Sequence, residues 1–491
     1  MIEDAVDATV HADAGIDVGR AGLAGLTRRS ALFALGAVAG KVVGLVMLPV
    51  LTRALTQADY GRLDVLLVLT NALTAALLLG LDVATLRLYF DQRNSEERGR
   101  LIASWYVIAL IVTAAAAGLL VALANPISAA LFSTSRLGVA IVAVAAALIA
   151  GTVQTIVLTV LRAEGRAGSY AALSVGALVL YAVLAVVLLG SWRTDAAAVL
   201  VAWAAAISVS SVAGTTLIRR RIARRPAWNA SRRLLRLGLP LAPAVVAVLV
   251  SDFLVRIILL RASGADQVAD FTVGNRFASA AGLAVAVLQL AWVPRAYALG
   301  TTDEARRRIG SETAWIVGIV SIAVLVIAAG AREIVEAAAG PAYLAALPAL
   351  GFSLVAVLGS ALYLVASMPS ALARTTEDLG MATAVGAVVA VAATLLLAPL
   401  WAATGTAAAA AIAQVSVVGT VGVLGRRRGT LALPARRLVL MAGTSALAAL
   451  VLVAAPSLFV RLGVTVAALA AVASALPLRQ GLRTARAALP R

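Results

Sequence analysis

The stretch LTRALTQADYGRLDVLLVLTNALTAALLLGLDVATLRLYF (residues 51–90) holds an apolar run over about 63–82, with Asp64 and Asp82 near its ends and Arg87-Leu88-Tyr89 beyond it. An α-helix rises 1.5 Å per residue, so about 20 apolar residues cross the hydrocarbon core of a bilayer. The pattern recurs: LLRASGADQVADF (259–271) leads through a second apolar run to WVPRAY (292–297). Each copy has an Arg at the end of one helix, a short loop with an Ala-Asp-aromatic triplet, another helix, and Arg-x-Tyr at its far end. A repeat with an even number of helices per copy predicts two lobes related by an axis along the membrane normal, and transporters built this way bind cargo between the lobes.

Outward from these segments the apolar runs continue, at about 31–52, 63–82, 101–124, 137–160, 170–190, 195–217, 238–260, 272–294, 313–330, 346–368, 379–399, 404–424, 438–456 and 462–478. The chain reads as an all-α polytopic membrane protein with about 14 transmembrane helices, forming two pseudo-symmetric six-helix lobes plus two C-terminal helices. The expected organisation is a disordered acidic cytoplasmic tail (1–27), a first lobe (28–217), a basic cytoplasmic linker (218–237), a second lobe (238–425), the last two helices (426–478) and a basic cytoplasmic tail (479–491). The first 27 residues lack the apolar core of a secretory signal peptide.

Composition agrees. Of 491 residues 62% are hydrophobic and 13% charged, about half the charged share of soluble domains. A water-soluble enzyme is excluded. With no Cys and one His (His11), thiolate metal sites, cysteine nucleophiles and imidazole clusters are excluded too, and no cofactor is expected. The net charge of +18 does not imply nucleic acid here, because its distribution follows the membrane. With a cytoplasmic N-terminus, the inside loops hold Arg87, Arg93, Arg98 and Arg100, then Arg162 and Arg166, the run Arg219 to Arg236, Arg306 to Arg308, and Arg426 to Arg428. Outside fall only Arg53, Arg62, Arg136, Arg193, Arg261, Arg332 and Arg461. That bias places both termini in the cytoplasm.

Charges inside the spans are few. Lys41 lies in the middle of the first, beside the stripe Gly36, Gly40 and Gly44, which reads as a helix-packing face. A cation there costs about 3 kcal/mol on insertion scales and is expected to face water or a partner. Asp252 and Arg256 stand four residues apart on one helix face, either as an internal salt bridge or as a cavity pair with Asp252 accepting a proton or cation and Arg256 clamping an anion. Asn275 and Arg276 add a polar pair early in the eighth span, and Arg276 reads equally well as a snorkelling side chain. Asp64, Asp82 and Arg87 sit near helix ends, where solvation makes charge cheap. The buried excess is basic, and guanidinium groups bind phosphate bidentately, so a lipid-linked phosphate is the expected ligand.

The segment LPVLTRALTQADYGRLDVLLVLTNALTAALLLGLDVATLRLY (48–89), together with GADQVADF (264–271), WVPRAY (292–297), GPAYLAALPAL (340–350) and GTAAAAAIAQ (405–414), resembles bacterial polysaccharide flippases of the multidrug/oligosaccharidyl-lipid/polysaccharide exporter superfamily. The resemblance spans about 28–430. It implies a V-shaped pair of lobes and alternating-access movement of an undecaprenyl-diphosphate-linked oligosaccharide across the bacterial cytoplasmic membrane, with polysaccharide polymerase and export machinery as further partners. It also implies a cationic cavity, which Lys41, Arg53, Arg87, Arg256, Asn275 and Arg276 are placed to supply, with Asp252 as the coupling group. A lipid II flippase and a multidrug antiporter of the same superfamily are the alternatives. A glycosyltransferase is disfavoured because every outer loop is short and none pairs acids with a His.

Overall fold

The computed structural model describes residues 36 and 39–476, apart from 93, 135–136, 223–224, 241, 300–302, 374, 429–433 and 456. The tails expected at 1–27 and 479–491 lie outside the described residues. The first lobe comprises α1 (39–54), α2 (Gln57–Leu78), α3 (Leu81–Asp91), α4 (Ser95–Ala122), α5 (Ala124–Phe132), α6 (Gly138–Ala163), α7 (Ala167–Ser191) and α8 (Ala196–Ile222). The amphipathic α9 (Trp228–Gly238) joins it to the second lobe, built from α10 (Ala242–Ser263), α11 (Ala265–Leu299), α12 (Asp303–Ala329), α13 (Ala331–Ala339), a 3-10 turn (Pro341–Ala346), α14 (Leu347–Ala366), α15 (Met368–Leu372) and α16 (Thr376–Arg428). Two further helices follow, α17 (Ala435–Ala454) and α18 (Leu458–Ala475).

Eleven helices among the described residues are long and apolar enough to cross a membrane, fewer than the count read from the sequence. One of them, Glu377–Arg427, is a hairpin counted once. Its backbone leaves helical geometry at Ala402 (φ 48°), and a Cβ on Gly386 would meet Val417 of the returning arm.

The first lobe's central helix shows how the sequence sets its own boundaries. Thr56 is extended, and its hydroxyl accepts from the Asp59 N–H at 3.1 Å, capping α2 while Asp59 complements the positive end of the helix dipole. The helix ends at Leu79 and Gly80, both left-handed. The Ala-Asp-aromatic triplets expected in loops therefore lie inside helices, 58–60 in the first turn of α2 and 269–271 in the second turn of α11.

Side-chain bonds gather the loops into two sets. Arg53 Nη2 donates to the Ala337 carbonyl (2.9 Å), Ser263 Oγ to Ala398 (3.3 Å), and Arg261 to Ala130. Arg461 makes a bidentate pair with Glu333 (2.6 and 2.7 Å), which holds that carboxyl below its ordinary range and ties α18 to α13. Arg53, Arg261 and Arg461 are among the arginines that the charge bias assigns outside. At the opposite end Arg221 binds Glu164 (3.0 Å), Ser104 bridges to Ala227, and Gly80 packs on the Gly238 backbone.

The lobes meet at the first of these ends and part towards the other. Met47, Leu48, Leu51 and Thr52 of α1, Tyr60 to Leu66 of α2 apart from half-buried Arg62, Val255, Arg256 and Leu259 of α10, and 268–274 of α11 are buried. Further along the same helices Lys41, Val42, Asn71, Val248, Val287 and Leu290 are exposed. Closure depends on Gly61, where a Cβ would fall on the Ala265 backbone carbonyl across the lobe boundary. Replacing Gly61 by Val is expected to overpack this crossing by about 1–3 kcal/mol and lower the melting temperature of the purified protein in detergent. Gly118→Ala, at a position with open space, is expected to leave it unchanged.

Candidate functional site

Where the lobes begin to part, Arg256 of α10 crosses from the second lobe to the first. Its Nε donates to Asp64 Oδ2 of α2 at 2.7 Å, and its Nη1 donates to Asp252 Oδ1 at 2.6 Å and to the Asp252 carbonyl at 3.1 Å. The guanidinium also lies 5.4 Å from the Phe271 ring centroid. Side-chain exposure is 7% for Arg256, 8% for Asp64 and 53% for Asp252. One carboxylate is thus sealed in the interface while the other remains reachable. Asp252 lines a cavity of about 400 Å³ in the second lobe, with Ser251, Tyr363, Thr383 and Gln414.

Arg276 of α11 also crosses the boundary. A Cβ on Gly44 of α1 would lie 2.9 Å from its Nη1, so the missing side chain is what admits the guanidinium. It lies within electrostatic reach of Tyr60, Asp64, Tyr181 and Arg256. Lys41 occupies the same stripe of α1 as Gly44 and Leu48, at i, i+3 and i+7. Leu48 is fully buried and Lys41 is exposed, so that stripe runs from the closed interface into the open cleft. The Gly36, Gly40 and Gly44 stripe, expected to pack a neighbouring helix, does so at two positions: a Cβ on Gly36 would lie 3.0 Å from Tyr170 and 3.3 Å from Ser174 of α7, and Gly44 meets Arg276 of α11, whereas Gly40 has no atom within 4 Å of a Cβ and, with Gly36, lines a first-lobe cavity.

The remaining expected residues are dispersed. Arg53 sits at the closed end with its guanidinium on the last turn of α13, where a cation complements the carbonyl end of the helix dipole. Arg87 is exposed on α3, past the break at Gly80 and roughly 30 Å of helix rise from Asp64. Asn275 is exposed next to Arg276. Arg256 and Arg276 both reach the first lobe at the boundary, and Lys41 is exposed one turn from Gly44 on α1; Arg53 and Arg87 do not join them.

Two interface residues escaped the sequence reading. Asp64 was placed near a helix end, but α2 starts at Gln57, so Asp64 lies two turns in; the Thr56-x-x-Asp59 cap was the available signal. Asp270, 1% exposed, accepts from Gln57 Nε2 of the other lobe at 2.8 Å, a pairing that no local pattern encodes.

These features define a polytopic membrane protein of two helical lobes around a central charged cleft, the architecture of MOP-superfamily transporters. Solved structures agree in fold. The lipid II flippase MurJ in an inward closed conformation is 11% identical with a TM-score of 0.68, covering 90% of this chain and 98% of that one. A multidrug resistance MATE family transporter of the MOP superfamily, inward-facing, is 16% identical with a TM-score of 0.60, covering 81% and 94%. A MOP superfamily transporter from Pyrococcus furiosus is 15% identical with a TM-score of 0.56, covering 82% and 94%. No curated protein matches the chain. The chain belongs to the family described as "Polysaccharide biosynthesis protein", which it matches over residues 26–298.

Removing one member of a buried ion pair strands the other, at a cost of about 3–5 kcal/mol. Asp64→Asn and Arg256→Gln are each expected to lower the melting temperature of the purified protein, and the double variant to lose less than their sum. Additive losses in that double-mutant cycle would show that the two side chains do not interact.

Proposed function

We propose that this protein moves a lipid-linked oligosaccharide, carried on undecaprenyl diphosphate, from the inner to the outer leaflet of a bacterial cytoplasmic membrane by alternating access. The observation that carries the reading is the crossing of Arg256 and Arg276 from one lobe to the other at the head of a one-sided cleft. Family membership and the fold support it. With both termini in the cytoplasm, the open end faces inward and the closed end outward.

The chemistry follows from the charges. Lys41 and Arg276 present cations to a cleft that a diphosphate can enter, and a guanidinium meets phosphate oxygens with two parallel hydrogen bonds. Arg256 is already neutralised by Asp64 and Asp252. A diphosphate at the cleft head competes with Asp64 for it. Cargo that binds the parted state better than the latched one shifts the equilibrium by that difference in affinity, and the Asp64 bond is where the difference arises. Asp252, reachable from its cavity, serves as the acceptor of a proton or cation that resets the latch. The polysaccharide polymerase and export machinery would receive the unit on the far side.

Deletion of the gene is expected to remove surface polysaccharide and to accumulate complete lipid-linked oligosaccharide on the cytoplasmic face. Complementation with Lys41→Ala or Arg276→Ala, at matched membrane levels, is expected to restore less than a tenth of export. Normal surface glycan in the deletion strain, with new sensitivity to cationic drugs, would overturn the reading in favour of a multidrug antiporter.

A further inference from the structure

The two lobes carry different cavities. The second-lobe cavity contains the Asp252 carboxylate. The first-lobe cavity, about 340 Å³ in volume, is lined by no charged side chain. Its polar groups are amides and hydroxyls from α2, α6 and α7: Asn71, Gln154, Ser174 and three threonines. The threonine hydroxyls of Thr70, Thr74 and Thr155 donate to carbonyls of their own helices at 2.7, 2.8 and 2.9 Å, so towards the cavity they offer lone pairs. Gln154 Oε1 and Ser174 Oγ are sealed away from the cavity, so the exposed amide of Asn71 is its most accessible polar group. Trp203 supplies an aromatic wall, held edge-on against Tyr181 at 5.3 Å between centroids.

This lining selects by exclusion. A phosphate would find no cation in it, and an organic cation would find no carboxylate. An apolar molecule would cover the Asn71 amide and the threonine oxygens without pairing them. An uncharged ring bearing several hydroxyls suits it, because hydroxyl groups pair with the Asn71 amide and donate to the threonine oxygens while the ring's C–H face packs on the indole. The volume is within the range of small-ligand sites, about 300–1,000 Å³. Location adds a second argument. Gly36 and Gly40 form part of the wall, and Gly44, one turn on and about 6 Å along α1, faces Arg276. A sugar in the cavity would therefore sit beside a diphosphate in the cleft.

We infer that the first-lobe cavity is the saccharide subsite of the cleft, taking the uncharged polyhydroxylated rings of the cargo while its phosphates lie at Lys41 and Arg276. The inference rests on the flippase reading and adds to it a division of labour: cations hold the carrier, and neutral polar groups of one lobe recognise the sugars.

The test uses the full-length purified protein in lipid nanodiscs with two probes, undecaprenyl diphosphate and the lipid-linked oligosaccharide extracted from cells lacking the gene. Wild-type protein is expected to bind the sugar-bearing lipid at least tenfold more tightly than the bare carrier. Asn71→Leu, which removes the exposed amide, and Gly40→Leu, which fills the cavity from a position with open space, are expected to abolish that preference and leave bare-carrier affinity within twofold. Arg276→Gln is expected to weaken both lipids. Retention of the preference by Asn71→Leu and Gly40→Leu, equal loss of both lipids in those variants, or no preference in the wild type would overturn the subsite. Wild-type protein that binds neither lipid would overturn the flippase reading itself, and the subsite with it.

Discussion

A guanidinium held inside a membrane protein must be paired or hydrated, and Arg256 is paired twice. An unpaired charge at that depth costs several kcal/mol, so the Asp64 contact is a condition for the two lobes to close on each other. The pair links α10 to α2 at a point where one partner of the arginine is sealed and the other is reachable. In the proposed mechanism a proton or cation at Asp252, or a phosphate competing for the guanidinium, loosens this pairing. Packing alone would close the interface permanently; a charge pair makes the closure conditional.

The rest of the architecture fits around that contact. On the closed side, Gly61 lets α2 and α11 approach through their backbones, while Gln57 reaches Asp270 and Arg53 reaches the end of α13. On the open side the same central helices present Lys41, Asn71 and Val287 to a widening cleft. Gly44 allows Arg276 to lie across α1 at the boundary between the two regimes. The closed end is stitched by charge-assisted hydrogen bonds, Arg53 to a carbonyl and Gln57 to the Asp270 carboxylate, worth about 1.5–3 kcal/mol each, and the buried ion pair adds to them.

Much of the fold is legible in the sequence because the bilayer imposes a length and a polarity on every segment. The apolar runs, the alternation of arginines between loops and the repeat at 51–90 and 259–297 follow from those demands. The candidate site is legible only in part. Lys41, Asp252, Arg256 and Arg276 stand out because charge within a span is expensive; Arg256 and Arg276 reach the other lobe, and Asp252 pairs with Arg256 from its own cavity. Arg53 and Arg87 were grouped with them by sign, but sign does not say which neighbour a side chain meets; Arg53 finds the α13 carbonyls and Arg87 lies beyond a helix break. Asp64 was undervalued because an apolar window places the start of a helix where hydrophobicity begins, whereas the Thr56 cap starts it a turn or more earlier. The glycine stripe is legible as a packing face, and Gly36 and Gly44 do admit side chains of other helices, but the open space at Gly40 has no local signal.

In the proposed mechanism the Asp64–Arg256 pair latches the closed end until anionic cargo competes for it. The chain has no cysteine, so spin labels can be attached at introduced cysteines alone. Labels at Thr56 and Glu336, exposed residues on opposite sides of the closed end, report its width directly. The latch predicts a single short distance in lipid nanodiscs without cargo, and a second, longer population on adding undecaprenyl diphosphate or introducing Asp64→Asn. A distance distribution that neither addition changes would contradict it.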